Sequence, residues 1–293
     1  MKKFLPLRNC IFKMQRSIEL SGKSNSTLTN YARCLASLAM HFDCSPTELD
    51  EEQLQDYLLF VKNQHQTPSE SFFKHTVYGL RYAFKICDKK ELHIKLPSIE
   101  KPKKLPVVLN QTEVKQLIKS TTLLKHRLLI ALLYGCGLRC SEVRNIQLKD
   151  IDFERKSLFV RAGKGRKDRM GVLGDLQIKG IKKYLAAEKP PKWLFTGNNS
   201  SGEIVPLSKQ GVQWVVRQAR KKAQIQKEVT THTLRHSYAT HLLEMGLDIM
   251  TLKDLLGHAD IQSTLVYLHV SRIDKQLAFS PLDRLYNYGS QKK

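Results

Sequence analysis

The stretch from His232 to Tyr267 contains several side chains of types that act on phosphate groups. His232 and Arg235 are three residues apart, His258 follows a glycine, and Tyr267 comes nine residues after His258. An arginine fork binds phosphate oxygens, a histidine donates hydrogen bonds or moves protons, and a tyrosine hydroxyl is a nucleophile. The segment indicates chemistry at a phosphate, and in so basic a chain that phosphate is expected to belong to DNA.

Each of these residues also has a purely structural interpretation. Histidine and arginine often share the wet face of a helix, and a lone tyrosine usually packs in a core with its hydroxyl near solvent. A third interpretation is zinc binding, because His232 and His236 are four residues apart. However, the zinc-protease pattern has a glutamate directly after the first histidine, where this chain has Thr233.

The positive charge is concentrated in the second part of the chain. The formal net charge is +22, from 49 Lys and Arg and 27 Asp and Glu. Residues 1–100 contain 14 basic and 11 acidic side chains, whereas residues 101–293 contain 35 and 16. A domain this positive attracts polyanions such as nucleic acid, although a solvated basic surface has the same composition.

Cysteine usage and hydropathy predict a soluble, cytoplasmic protein. Among the six cysteines, Cys136 and Cys140 are four apart, and no second pair has metal-ligand spacing. Arg8 and Lys13 interrupt the N-terminal segment before a signal-like apolar core forms. The longest apolar run, residues 128–138, is shorter than the about 20 residues that a membrane-spanning helix needs.

The chain is predicted to form a helical domain over residues 1–96, a linker over 97–106 and a second domain over 107–293. Helices are expected within 24–95, with one beginning at Ser45. The linker contains three prolines, and its lysines either follow a phosphate backbone or only keep the linker soluble. In the second domain we expect helices at 111–119, 124–134, 208–224 and from 231 onward, and β structure over 152–173.

The elements around the chemical residues can also be predicted. A helix beginning near His232, capped by Thr230 or Thr231, places Arg235 one turn further on the same face and directs Leu234, Tyr238, Leu242 and Met245 to the core. Gly257 is expected to end the next helix in a left-handed conformation, so that His258 is presented just beyond it.

Four motifs occur in an order and at separations that resemble the tyrosine recombinase (phage integrase) family, most of all its Xer recombinases and integron integrases. They are GCGLRCSE at 135–142, GKGRKDR at 163–169, HTLRHSYATHLL at 232–243 and LLGHADIQSTLVYLH at 255–269. The resemblance implies a mainly α fold with a small antiparallel β-sheet. It also implies two domains in a C-shaped DNA clamp, a helical core-binding (SAM-like) domain and a catalytic domain.

The resemblance assigns an active site to particular residues of this chain. They are Arg139, Lys164, His232, Arg235, His258 and Tyr267. By this resemblance Tyr267 attacks a DNA phosphodiester and forms a 3′-phosphotyrosyl link, while the two arginines bind the non-bridging oxygens. Lys164 protonates the leaving 5′-oxygen, with Lys167 as its rival. His232 assists proton transfer from the tyrosine, and His258 hydrogen-bonds the phosphate.

Further residues are given supporting roles. Glu142 resembles the acidic residue that supports the active site from behind. A set of basic residues has two possible interpretations, as contacts to DNA phosphates or as a solvated surface. These residues are Lys101, Lys103, Lys104, Arg161, Arg166, Lys167 and Arg169.

The resemblance implies duplex DNA with specific recombination sites as the substrate, and no cofactor, catalytic metal or ATP. It implies a tetramer on two synapsed sites, or a heteromer with a paralogous recombinase, with the segment at about 273–293 exchanged between protomers. Chromosome-dimer resolution and mobile-element integration both stay open. Two alternative functions are a catalytically silent DNA-binding regulator and a relaxing enzyme like type IB topoisomerases.

Overall fold

The chain divides into two compact units in a computed structural model. The structure describes residues 4–22, 25–64, 69–88, 105–161 and 168–271. The units are Met1–Lys103 and Lys104–Lys293. Within the described ranges, no helix is both long and apolar enough to cross a membrane.

The described part of the first unit consists of helices and the turns that join them. Its helices are α1 (Leu5–Leu20), α2 (Asn25–Phe42), α3 (Glu51–Gln64) and α4 (Ser69–Ile86). They pack around one apolar core to which each contributes side chains at helical spacing, among them Met14, Leu38, Leu58 and Phe84. Helix α1 lies outside the segment for which helices were predicted, although Leu7, Cys10, Met14 and Ile18 form its buried face.

The prediction that a helix begins at Ser45 is wrong. Residues 45–48 form an isolated turn, in which the backbone N–H of Glu48 donates to the carbonyl of Ser45 at 2.9 Å. Helix α3 begins at Glu51 because Asp50 caps it, five residues after the predicted cap Ser45. The Asp50 carboxylate accepts from the backbone N–H of Gln53 at 2.8 Å, and the Gln53 side chain accepts from the Asp50 N–H at 3.1 Å.

The second unit contains helices and two small antiparallel sheets. Its helices are α5 (Gln111–Lys119), α6 (Leu124–Gly135), α7 (Cys140–Arg144), α8 (Asp175–Glu188), α9 (Lys209–Lys222), α10 (Thr231–Glu244), α11 (Ile249–Leu256) and α12 (Gln262–Leu265), with short 3₁₀ turns at Leu148–Asp150 and Val266–His269. One sheet has the order β1 (Ile151–Asp152), β2 (Ser157–Val160), β3 (Arg169–Val172), and the other pairs β4 (Thr196–Asn198) with β5 (Ile204–Pro206).

Side-chain caps fix where the helices near the site begin. The Thr230 hydroxyl accepts from the backbone N–H of Thr233 at the start of α10, and the Asp248 carboxylate accepts from two N–H groups at the start of α11. Helix α6 is apolar on nearly every side and lies in the core of the unit, where α8, α9 and α10 contact it. The predicted mainly α fold with a small antiparallel β-sheet is confirmed, whereas α8 and the second sheet were not predicted.

Candidate functional site

A single buried carboxylate, that of Glu142, holds three arginines together. Its oxygens accept from the backbone N–H of Arg139 at 2.9 Å and from the Arg139 guanidinium at 2.6 Å. Arg169 donates to the same carboxylate at 3.0 Å, and a guanidinium nitrogen of Arg235 lies 3.7 Å away. Three positive charges around one negative charge leave this cluster with a net positive charge suited to an anion.

The charge state of Glu142 follows from its neighbours. Burial by itself raises the pKa of this carboxyl, but Arg169, Arg139 and Arg235 lower it by more, and the resulting pKa is below its ordinary value. The carboxylate is therefore ionised at neutral pH and keeps the arginines in place.

Backbone carbonyls fix the position of Arg235. Its side chain is 3% exposed, and its guanidinium donates to the carbonyl of Gly137 at 2.7 Å and to the carbonyl of Leu256. Burial and the nearby Arg139 lower the pKa of Arg235 to about 10, so the group still carries its charge at neutral pH. An arginine held this way has nitrogen atoms oriented before any ligand arrives.

The loop that supplies one of these carbonyls needs glycine. Gly137 has φ +56°, and a Cβ atom there would lie 2.4 Å from Cδ1 of Tyr238. A left-handed conformation and a lack of space therefore both exclude other residues at this position. Arg139 follows two residues later, directly before helix α7.

Arg169 is buried, so its interpretation as part of a solvated hairpin face is wrong, whereas its interpretation as a DNA contact stays a prediction. This residue is 9% exposed and donates both to Glu142 and to the carbonyl of Leu255 at the end of α11. Its aliphatic part packs on Gly257, where a Cβ would lie 2.8 Å from Cδ of Arg169. Its partners are 27 and 86 residues away in sequence, so no local pattern could indicate the burial.

Helix α11 ends as predicted and places His258 beside Tyr267. Gly257 has φ +61°, and Nδ1 of His258 lies 2.9 Å from the hydroxyl of Thr264. The rings of His258 and Tyr267 stack, with centroids 6.5 Å apart and an interplanar angle of 15°. Burial, Arg235 and Arg139 lower the pKa of His258 to about 4, so this ring is neutral at neutral pH.

Tyr267 is buried at 2% exposure, and its hydroxyl lies 3.1 Å from Nδ1 of His236. The sequence prediction gave the proton partner of this hydroxyl as His232 and left His236 out of the site. The structure places His232 on an exposed part of α10, with its ring centroid 6.3 Å from that of His236. The signal that could have found His236 is its spacing of one helical turn after His232.

The acidity of the Tyr267 hydroxyl reflects opposing effects. Burial raises its pKa above the ordinary value, while Arg235 and Arg139 lower it in part. The phenol is therefore protonated at neutral pH and must lose its proton to act as a nucleophile. Across the part of the chain that the structure describes, no three His, Cys, Asp or Glu side chains are grouped so that they could hold a metal ion.

Several predicted residues lie elsewhere. Arg161 is half-exposed after β2, where it forms an ion pair with the buried carboxylate of Asp150. Several other predicted residues lie outside the described residues. They are the proposed acid Lys164 and its rival Lys167, the proposed DNA contacts Lys101, Lys103, Lys104 and Arg166, and the exchange segment 273–293.

The sequence of the second unit matches a known protein family. The sequence model of the Phage integrase family matches residues 107–272, which include the whole arginine cluster and Tyr267. The chain belongs to this family. Within it, relatives named tyrosine recombinases identify the chain as a recombinase of the Xer type.

Two relatives and one solved structure illustrate the similarity. The chain is 30% identical to the putative integrase/recombinase y4qK of Sinorhizobium fredii, over 96% of this chain and 89% of that protein. It is 35% identical to tyrosine recombinase XerA of Pyrococcus horikoshii, over 87% and 86%. The fold is similar to XerH site-specific recombinase bound to difH substrate, with TM-score 0.65, 22% identity and coverage of 91% and 79%.

Proposed function

We propose that this phage integrase family member cuts and rejoins duplex DNA at specific sites, with Tyr267 as its nucleophile. The observation that carries the proposal is the position of the buried phenol, which contacts His236 and His258 beside three arginines gathered on Glu142. The DNA substrate is in keeping with XerH, which is described as bound to difH substrate. The +22 net charge favours such a polyanion.

The reaction is a transesterification at phosphorus. The Tyr267 oxygen forms a bond to the phosphorus, the bond from phosphorus to the 5′-oxygen breaks, and a 3′-phosphotyrosyl link remains. Because one phosphodiester replaces another, the strand can be rejoined without ATP or another source of energy. A histidine of α10 takes the phenolic proton, and Lys164 gives a proton to the leaving 5′-oxygen.

The arginines stabilise the charge that develops during this step. Arg139 and Arg235 present planar forks that match two phosphate oxygens, and burial strengthens their interaction with the extra negative charge of the transition state. Glu142 and Arg169 keep these forks oriented, and the neutral His258 donates a hydrogen bond to a phosphate oxygen. We further propose that the enzyme works as a tetramer on two synapsed sites, or with a paralogous partner.

Covalent trapping tests the proposal. Duplexes bound by the wild-type protein are selected from a random pool, nicked at successive positions and incubated with the protein, and SDS-resistant adducts are counted. We expect an adduct with the wild type and with Tyr184→Phe, a control that removes a phenol from the core of the same unit. We expect none with Tyr267→Phe, because that variant lacks the attacking oxygen.

The other outcomes separate the alternatives. Binding of duplex DNA with no adduct at any nick would indicate a silent DNA-binding regulator. An adduct together with relaxation of a supercoiled plasmid that lacks the selected site would indicate a topoisomerase-like enzyme. Equal adduct from Tyr267→Phe would contradict the assigned nucleophile.

A further inference from the structure

We propose that His236 is the base that removes the proton of the Tyr267 hydroxyl, an inference that rests on the proposed function. Nδ1 of His236 lies 3.1 Å from the phenolic oxygen, and the two ring centroids are 5.6 Å apart. A general base must lie within about 2.6–3.2 Å of the atom that it deprotonates, and this separation falls in that range.

The position of His236 is set by α10 and by the 3₁₀ turn that carries Tyr267. These two elements pack directly on each other. His236 is half-buried next to the phenol, whereas His232 is exposed one helical turn earlier. The contact that the proton transfer needs is therefore already present in the packing of the free protein.

Burial and the ionisable groups around His236 keep its ring neutral. Burial, the neighbouring His232 and Arg235 on the same helix lower the pKa of His236 to about 4. Facing it from the 3₁₀ turn is Tyr267 itself, and His258 stacks on Tyr267. A neutral imidazole has one nitrogen without a proton, and the phenol donates its hydrogen bond to that nitrogen when it is Nδ1.

His236 is a weak base in the free protein and becomes a stronger base when DNA is bound. A phosphodiester held by Arg235 and Arg139 adds a negative charge close to the imidazole, and a nearby negative charge raises the pKa of a histidine. The substrate thus supplies the charge that makes proton removal favourable. Without it, the phenol stays protonated and a weak nucleophile.

The step is balanced in atoms and charge. The phenolic O–H bond breaks and its proton goes to Nδ1 of His236, which becomes an imidazolium. The oxygen forms its bond to phosphorus, and the electron pair of the broken bond leaves on the 5′-oxygen, which takes a proton from the acid. Rejoining runs the same transfers in reverse.

The test compares His236→Gln with His269→Gln, an exposed histidine on the same 3₁₀ turn as Tyr267. Glutamine accepts the hydrogen bond but not the proton. Single-turnover adduct formation is followed on the nicked duplex that the wild type cleaves, from pH 6 to pH 9.5. Duplex affinity and the far-UV circular dichroism spectrum are measured for each variant.

We expect His236→Gln to lower the cleavage rate at pH 7 by about 10²–10⁴-fold with duplex affinity unchanged. Its rate should then rise with pH up to the highest value tested, because only the ionised phenol can react. His269→Gln should match the wild type. In His236→Ala, added imidazole should restore part of the rate.

Two results would overturn the inference. One is a His236→Gln rate within about threefold of the wild type. The other is a slower rate whose pH profile is parallel to that of the wild type, since this would mean that His236 only positions the ring. A wild-type protein that forms no adduct would overturn the proposed function, and this inference with it.

Discussion

Among single residues, Glu142 is the one that joins the three arginines of the site. Its carboxylate contacts three guanidiniums and is 7% exposed. Loss of one charge from a buried ionic cluster is costly, because the remaining charges are left in a poorly solvated place. Neutralisation of this residue should therefore affect folding as well as catalysis.

We predict that Glu142→Gln lowers the free energy of unfolding by about 3–5 kcal/mol. Urea denaturation at pH 7 measures it, with Glu154→Gln as the control, because Glu154 is an exposed carboxylate of the same unit. The control should change the unfolding free energy by less than about 0.5 kcal/mol. Equal effects of the two substitutions would contradict the role given to Glu142.

The same variant has a pH signature. The pKa of Glu142 is lowered in the folded protein, so its stabilising contribution is complete above the unfolded value of about 4.3 and is lost as pH falls through the lower folded value. The difference in unfolding free energy between the wild type and Glu142→Gln should therefore shrink as pH is lowered from 7 toward 3.

The sequence motifs named several residues that lie close together in the structure, but not the contacts between segments that are far apart in sequence. Arg139, Arg235 and Tyr267 were assigned through motifs, and the structure brings them together around Glu142 and its neighbours. The burial of Arg169 and the contact of His236 with the phenol depend on the approach of segments 86 and 31 residues apart. No pattern within a single strand indicates the burial of Arg169, and for His236 the only local signal is its spacing of one helical turn after His232.

At the scale of elements, the side chain of Arg169 links strand β3 to the end of helix α11. Arg169 belongs to β3 and donates to the carbonyl of Leu255 in the last turn of α11 as well as to Glu142 beside α7. The carbonyls at a helix end lack partners within the helix and carry partial negative charge. The buried guanidinium satisfies one of them and joins three elements.

We predict that Arg169→Lys destabilises the protein by about 1–3 kcal/mol, because a lysine cannot donate to both acceptors with the geometry of a planar fork. Hydrogen exchange should become faster in β3 and in the last turn of α11. The control is Arg155→Lys, whose side chain is 86% exposed in the turn between β1 and β2 of the same sheet. An unchanged stability with weakened duplex binding would instead support the DNA-contact interpretation.

Elements with clear end signals were predicted well, and the others were not. Helix α5 has the predicted bounds because Asn110 and Glu113 form a capping box. Helix α1 was missed because exposed apolar residues such as Phe12 and Leu20 interrupt its amphipathic pattern. The start of α3 was misplaced because Ser45 and Asp50 both resemble a helix cap, and only packing decides between them.

At the scale of the whole molecule, the two units differ in charge and in what they contain. Residues 1–100 are nearly balanced, whereas residues 101–293 hold most of the positive charge and every residue of the candidate site. Each unit has its own apolar core. The candidate site thus lies in one unit, and a DNA-binding role for the other unit stays a prediction from the sequence resemblance.

We predict that deletion of residues 273–293 leaves binding to a single duplex site intact but impairs the joining of two sites. The deleted segment follows the last residue of the arginine and tyrosine cluster, and the family resemblance implies that it docks into a neighbouring protomer. Gel-shift titration would measure single-site binding, and a two-site recombination assay would measure the product. Undiminished recombination by the shortened protein would refute the exchange.

Main-chain groups orient Arg235, and this affects which substitutions the site can accept. Its guanidinium is oriented by the carbonyls of Gly137 and Leu256, which belong to the main chain. Every residue type provides a carbonyl, so the hydrogen bond at position 256 survives any substitution that preserves the helix end. Selection in the laboratory for new DNA sites could thus vary the side chains near the cluster while the Arg235 guanidinium keeps its orientation.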